Sequence, residues 1–436
     1  MLIAFSVENF RSYQDRQELS MLAGSGTELM GNTLPVKDVA ALASERVLKA
    51  VGIYGANASG KSNLVTAIDT FSGIISLSAK ESIPKDVFPV SAFALSAQAR
   101  RKPTRFSATF VVENVLYEYT AAMTRARVEF EQLIACPKKV PQELYRRSCN
   151  ADGKPEWHFS RTHFRRDKEL ERRTRPNSLY VSVGAQFNHE LLSKVYEFFV
   201  ELDIREPRSA DDEFRIAAER CLRSRSFREW AGGVLRGADT GIESLIAKAA
   251  DVMDQIPSDV RRQMPPSLIK RLRKQPQPMI EAVHRVPGSK RLIRWSFGRE
   301  SDGTKQLFSL LGSYHDTIRG GGTVVVDELD DSLHSLLSRT LLQMVHDPKM
   351  NPKGGQLIFT THDTTLLDPT LLRRDQIYFT ERSSAGATRL YSLLEYMPRK
   401  DEALQKGYLA GRYGAVPFLG ELRFEPEKAS ELRTKH

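Results

Sequence analysis

The sequence predicts an α/β fold, a strand-and-helix domain whose two halves are separated by a helical, basic insertion. Three observations carry this reading. A β-like run over residues 47–54 feeds directly into a glycine-rich loop and then a helix-like segment. A valine-rich run at 323–326 ends in two acids. Between them, from about 137 to 290, the chain turns arginine-rich, helical in pattern and broken by prolines.

Composition narrows the class. With 41% hydrophobic and 27% charged residues, the chain has enough apolar material for a packed core. That excludes a disordered tail, a collagen-like fibre and a small disulfide scaffold. No stretch approaches the ~18–20 uninterrupted apolar residues of a membrane span, so no membrane contact is expected. Residues 1–10 contain Glu8 and lack a basic start, unlike a signal peptide. Cys136, Cys149 and Cys221 form no C-x-x-C pair and cannot all pair internally, so a reducing cytoplasmic setting is the simplest expectation. The net charge of +10 fits contact with nucleic acid or another polyanion, and equally fits a well-solvated charged surface.

Residues 1–136 read as strand-rich with one helix. A strand is expected at 2–7, followed by a turn over 8–12, and a second strand at 47–54. Residues 63–71 read as a helix, and runs at 106–112 and 116–120 bracket Asn114 as a hairpin. In the insertion, 137–290, Ser209 followed by Asp211 and Asp212 marks a helix start, with the helix reaching about 235. A second helix is expected at 243–256, after which Pro257, Pro265, Pro266, Pro276 and Pro278 prevent a long one. The β-and-helix pattern returns over 291–436, the second half of the domain.

Gly55-Ala56-Asn57-Ala58-Ser59-Gly60-Lys61-Ser62 fits G-x-x-x-x-G-K-[ST] in full, in the strand–loop–helix context that the motif requires. Chance alone yields such a match about 1–2 times in 100 chains of this length. Glycines permit the tight backbone that turns successive N–H groups toward phosphate, and the following helix adds its positive end. The pattern implies ATP. Gly55, Asn57, Ser59, Gly60, Lys61, Ser62 and Asn63 are the candidate binding residues, with Lys61 on the terminal phosphates and Ser62 on Mg²⁺. The valine strand supplies the acids that such a loop needs. Asp327 is the candidate Mg²⁺ partner and Glu328 the group that polarises the attacking water.

More than half of the chain separates Lys61 from Asp327. That long gap resembles the ABC-type ATPases, which include SMC, RecF and OLD-like proteins. In that class a Ser-x-Gly signature precedes the acidic strand and contacts the nucleotide of the opposite subunit. Glu300-Ser301-Asp302-Gly303-Thr304-Lys305 fits it, making Ser301 and Gly303 candidates. Leu329-Asp330-Asp331-Ser332-Leu333-His334 resembles the D-loop, with Asp331 as its nucleotide-side residue. The strand at 357–361 ends in His362, which the resemblance makes the switch histidine and a catalytic candidate. His158, His163 and His189 show no metal-ligand spacing and read as structural. The Q-loop glutamine is left open, Gln98 being the nearby candidate.

Taken together, Phe5-x-x-x-Asn9-Phe10-Arg11-Ser12 resembles the opening of RecF/SMC-type ATPases. Arg175-Pro176-Asn177-Ser178-Leu179, the signature, the acidic strand, Thr360-Thr361-His362-Asp363-Thr364 and Gly411-Arg412-Tyr413-Gly414-Ala415-Val416-Pro417 resemble the RloA/AbiL-type AAA ATPases. These are OLD-like proteins of prokaryotic anti-phage and abortive-infection loci, similar to the Septu and PARIS ATPases. The resemblance implies an ATPase that forms a homodimer or larger even-numbered homo-oligomer. It also implies a companion effector, nuclease or toxin, and a nucleic-acid or phage-protein trigger. OLD nucleases carry a Toprim domain after the ATPase, and too few residues follow His362 to hold one, so no nuclease is expected here. Two other readings stand beside this one: a RecF-like DNA-repair or DNA-maintenance ATPase that grips DNA through the insertion, and a module that holds ATP as a structural ligand. Glu328 speaks against the last.

Overall fold

Strands buried on both faces dictate the architecture. The computed structural model describes residues 1–80, 87–205, 210–250, 258–265, 277–399 and 402–417. In chain order the first half holds β1 (Leu2–Glu8), β2 (Gln17–Ser20), β3 (Thr33–Pro35), β4 (Arg46–Leu48), β5 (Ala50–Gly55), α1 (Lys61–Leu77), β6 (Thr104–Val112), β7 (Val115–Met123) and β8 (Val128–Cys136). The middle holds β9 (Gln142–Cys149), β10 (Pro155–Phe159), α2 (Lys168–Arg173), α3 (Tyr180–Gln186), α4 (Glu190–Val200), β11 (Asp203–Arg205), α5 (Ala210–Arg223), α6 (Arg225–Gly237), β12 (Ile242–Ala250), α7 (Ser258–Gln263) and β13 (Gln277–Arg285). The last part holds β14 (Leu292–Ser296), α8 (Asp302–Gly320), β15 (Thr323–Val326), α9 (Ser335–His346), β16 (Gln356–Thr360), β17 (Ile377–Arg382), β18 (Thr388–Ser392) and α10 (Leu404–Leu409).

The central sheet runs β11-β15-β16-β5-β17-β18, parallel except for the β17–β18 hairpin. Its alternation sorts the residues between two cores. Val51, Ile53, Val325 and Ile358 face the core shared with α1, α4 and the antiparallel sheet β10-β9-β8-β7-β6-β1-β2. Tyr54, Val324, Val326, Leu357 and Phe359 face the core under α5, α6, α8 and α9. Continuous apolar runs are what a parallel sheet covered on both sides requires.

The α/β class and the motif-bearing elements are as read from the sequence; the middle segment is richer in strand. β9 and β10 extend the antiparallel sheet, and β11 enters the central one beside the acidic strand. The helix expected at 243–256 is the strand β12 over its described part, paired with β13; residues 251–257 lie outside the described residues. The cause is a bulge between Ile242 and Ser244. The extra residue puts Ile242 and Leu245 on one buried face at a spacing that imitates a helix. The expected strand at 47–54 is two strands in different sheets, divided at Lys49. The hairpin at Asn114 turns through Glu113 and Asn114, both with positive φ (47° and 62°). The helix start expected at Ser209 lies outside the described residues, and α5 and α6 follow it.

Arg175-Pro176-Asn177-Ser178-Leu179 closes the end of α1. Arg175 and the Ser178 hydroxyl donate to the Ser78 carbonyl (3.3 and 3.0 Å), and the Ser182 hydroxyl donates to Ile75 O (2.6 Å). A buried acid holds this corner. Glu131, 0% exposed, accepts from Tyr119 Oη (3.0 Å), Tyr145 Oη (2.9 Å) and the α3 N–H groups of Tyr180 and Val181 (2.8 and 3.2 Å). Arg147, also buried, lies 3.7 Å from it and donates to Ser178 O and Arg175 O. Removing one partner strands the other charge, so Glu131→Ala is expected to cost about 3–5 kcal/mol. Glu131→Gln, which keeps part of the acceptor set, should cost less. Denaturant midpoints of the two variants check this.

Candidate functional site

β5 delivers the glycine loop and α1 leaves it, so the loop bends within a few residues. Gly55, Ala58 and Gly60 take positive φ (156°, 60° and 112°). A Cβ on Gly55 would stand 2.5 Å from the Thr380 carbonyl, so only glycine fits there. The loop is braced from outside. Ser59 Oγ pairs with Thr380 Oγ1 (2.6 Å), the Thr388 hydroxyl bridges Ser59 O and Ser12 Oγ (both 2.8 Å), and buried Tyr13 donates to Gly60 O (3.0 Å). Asn63 donates to Ser12 Oγ (2.8 Å).

A cavity of ≈ 590 Å³ opens over the loop. Asn57, Ser59, Gly60, Lys61, Ser62 and Asn63 line it, and Glu328 and His362 meet them from the far strands. Lys61 is buried and folds back on the loop, donating to Gly55 O (2.8 Å) and Ala56 O (3.2 Å). Burial pushes its pKa down to about 8, against the opposing pull of Asp327, Glu328 and Asp330. An ammonium so placed gains from an anion in the cavity.

Register places the acids. β15 and β16 pair Val326 with Phe359, so their ends lie side by side. The Thr360 hydroxyl donates to Asp327 Oδ1 (2.5 Å) and accepts from the Glu328 N–H (2.8 Å), while Leu329 N donates to Thr360 O (2.9 Å). Asp327 is buried behind the loop, and its second oxygen makes no hydrogen bond among the described residues. Glu328 holds φ 55°, a left-handed conformation that residues with a Cβ rarely adopt. Its carboxylate lines the cavity with no hydrogen bond among the described residues. Asp330 accepts from His362 N (3.2 Å to each oxygen) and so fixes the backbone after β16. Burial and the nearby Lys61 ammonium lower the His362 pKa, so its imidazole is neutral at pH 7.

Ser301, Gly303 and Asp331 do not line this cavity. Ser301 caps α8, accepting from Thr304 N (3.2 Å). A Cβ on Gly303 would approach Ser332 O at 2.6 Å, so the start of α8 packs on the backbone at Ser332. Asp331 and Ser332 line a second cavity of ≈ 570 Å³ with Asp302 and Lys305. Gln98 lines neither.

Sequence reading missed Arg382, which reaches the P-loop cavity from the end of β17, and the brace of Tyr13, Thr380 and Thr388. Ser12 was singled out only within a motif. No composition or spacing signal marks these positions; strand register alone does. The basic run of the middle segment is largely neutralised: Arg166 pairs with Glu171 (2.6 Å), and Arg172 and Arg173 both with Glu169 (2.8 Å). His189 caps α4 and stacks on Phe164, a structural role as expected.

Fold and site together define a P-loop nucleotide-binding protein. Residues 50–368 match the family described as "AAA domain, putative AbiEii toxin, Type IV TA system", and the chain belongs to it. Among curated proteins none matches. Among solved structures the chain is similar to the SMC head domain from Thermotoga maritima, with 13% identity, 90% of this chain and 98% of that one covered, and a TM-score of 0.41. It is similar also to the Smc head domain with an extended coiled coil bound to the C-terminal domain of ScpA, derived from Pyrococcus furiosus (15%, 91% and 97%, 0.36). At such scores these likenesses carry no argument about function.

Two outcomes follow from the strained and buried groups. A bound phosphate raises the Lys61 pKa from about 8, so above that pH nucleotide binding takes up a proton. Affinity should hold from pH 6.5 to 7.5 and weaken above 8, toward tenfold per pH unit; calorimetry in buffers of different ionisation heat checks the proton. Glu328→Gly relieves a left-handed residue that costs about 1–3 kcal/mol, so its unfolding midpoint should match or exceed that of Glu328→Gln.

Proposed function

We propose that the chain is the ATP-binding and ATP-hydrolysing subunit of a prokaryotic anti-phage or abortive-infection system. In this reading it dimerises through composite ATP sites and controls a companion nuclease or toxin. The observation that supports it most is the convergence of Lys61, Ser62, Glu328 and His362 on one cavity from three neighbouring strand ends. The toxin–antitoxin wording of the family supports the biological setting.

The loop N–H groups and Lys61 hold the phosphates. Ser62 and Asp327 would hold Mg²⁺: both offer oxygen, the donor this ion takes, and one Asp327 oxygen has no hydrogen bond among the described residues. The ion, when bound, offsets phosphate charge. Glu328 takes the proton of the attacking water onto its unbonded carboxylate. His362, neutral, hydrogen-bonds the terminal phosphate and loses that contact when phosphate departs. Ser301, Gly303 and Asp331 serve the site of a second copy, which accounts for their place away from this chain's own loop. Residues 1–136 and 291–436 carry the ATPase motifs; 137–290 adds β11 to the central sheet beside them and carries its state outward, since Asp327 N donates to Arg205 O (2.8 Å).

Glu328→Gln is expected to keep ATP binding, lose about 10²–10⁴-fold in turnover and collect as a nucleotide-bound dimer. Lys61→Ala and Ser301→Arg chains, each inactive, should regain part of their activity when mixed. Unchanged hydrolysis in Glu328→Gln removes it as the base, and a fully active monomer removes the composite site. Co-purification from the native locus of a replication or recombination protein, with no toxin or nuclease, sinks the defence role.

A further inference from the structure

A second basic cavity, of ≈ 340 Å³, lies beside the N-terminal motif. Arg100, Arg101, Lys102 and Arg125 line it with Ser91 and Thr124. Among the described residues no carboxylate lines it. Arg101, Lys102 and Arg125 make no side-chain hydrogen bond or ion pair within the described residues. Arg100 donates to Ala94 O (3.1 Å). Other arginines do meet carboxylates: Arg127 meets Glu129, Arg166 meets Glu171 and Arg339 meets Asp368. Four cations around one hollow, with no counter-charge among the described residues, favour the entry of an anion.

The hollow is also built. Asn9, 2% exposed and at φ 53°, spends its side chain on the walls: Nδ2 donates to Ala99 O (2.8 Å), Lys102 O (2.9 Å) and Pro103 O (3.2 Å), and Oδ1 accepts from Phe93 N (3.1 Å). Arg11 N donates to Ser91 O (2.7 Å). The motif at residues 9–12 therefore shapes this cavity at one end and, through Ser12, the ATP cavity at the other.

We propose that this cavity is a second phosphate-binding site, separate from the P-loop, that takes a chain of phosphate groups. Its cations and hydroxyls suit phosphoryl oxygens, and no aromatic ring lines it to stack a base, so recognition is of phosphate and not of nucleobase. Its volume is at the small end of ligand pockets, about 300–1,000 Å³. The chain is either a free oligophosphate or the backbone of a nucleic acid. The site does not depend on the ATPase reading.

Inorganic tripolyphosphate and a short mixed-sequence DNA duplex are titrated into the full chain and into Lys61→Ala, which takes the P-loop out of the measurement. Arg101→Ala/Lys102→Ala should weaken the bound probe at least about tenfold. If the probe is the duplex, it should also lower the salt slope by about 2. Tripolyphosphate binding to Lys61→Ala identifies free oligophosphate; duplex binding alone identifies the backbone, and both support the site. Binding of neither probe, unchanged affinity in the double variant, or an equal loss in an Arg161→Ala/Arg165→Ala control overturns it. Circular dichroism and the thermal midpoint of the double variant separate lost binding from lost folding, since both exchanged side chains are exposed.

Discussion

One hydroxyl group organises the centre of this protein. Thr360 ends β16 between the loop-bearing β5 and the acid-bearing β15, and it both donates to Asp327 and accepts from the backbone of Glu328. Without that pair the buried carboxylate loses its partner and the left-handed turn at Glu328 loses the contact that over-determines it. The turn matters because it points one acid inward and the next toward the cavity. Parallel register does the rest, bringing three strand ends level so that residues from distant parts of the chain meet without a special loop.

Much of this was legible because the chemistry is local in sequence. The P-loop is eight consecutive residues, and the acids follow directly on a valine strand. Their meeting was legible too, since a P-loop requires such a strand. What surrounds them was not. Thr380 and Thr388 are ordinary strand threonines until β17 pairs with β5 and brings Thr380 opposite Gly55. Arg382 becomes a cavity residue only through that register. β12 misread as helix because a single bulge changed the period of its buried residues. Runs of arginine looked like a binding surface because sequence shows the charge and hides the glutamate that meets it in space, as at Glu169 and Glu171.

Gly303 is seated on the Ser332 carbonyl, beside the cavity that Asp302 and Asp331 line, while the P-loop lines another. The acidic strand links the two, since Glu328 and Asp331 lie in one turn joined by Asp331 N to Glu328 O (2.8 Å).

The bracing of the P-loop bears on the order in which the protein is made. Ser59 closes on Thr380, 321 residues later in the chain. At ribosomal speeds of about 5–20 residues per second, the loop waits about 15–65 s for the strand that steadies it. Through that interval β5 lacks both of its sheet neighbours, β16 and β17, which are synthesised late. A nascent chain cut short before β17 carries the phosphate-loop sequence without the scaffold that shapes it. The outer brace of the loop is thus complete only once β17 has been made, long after the loop itself.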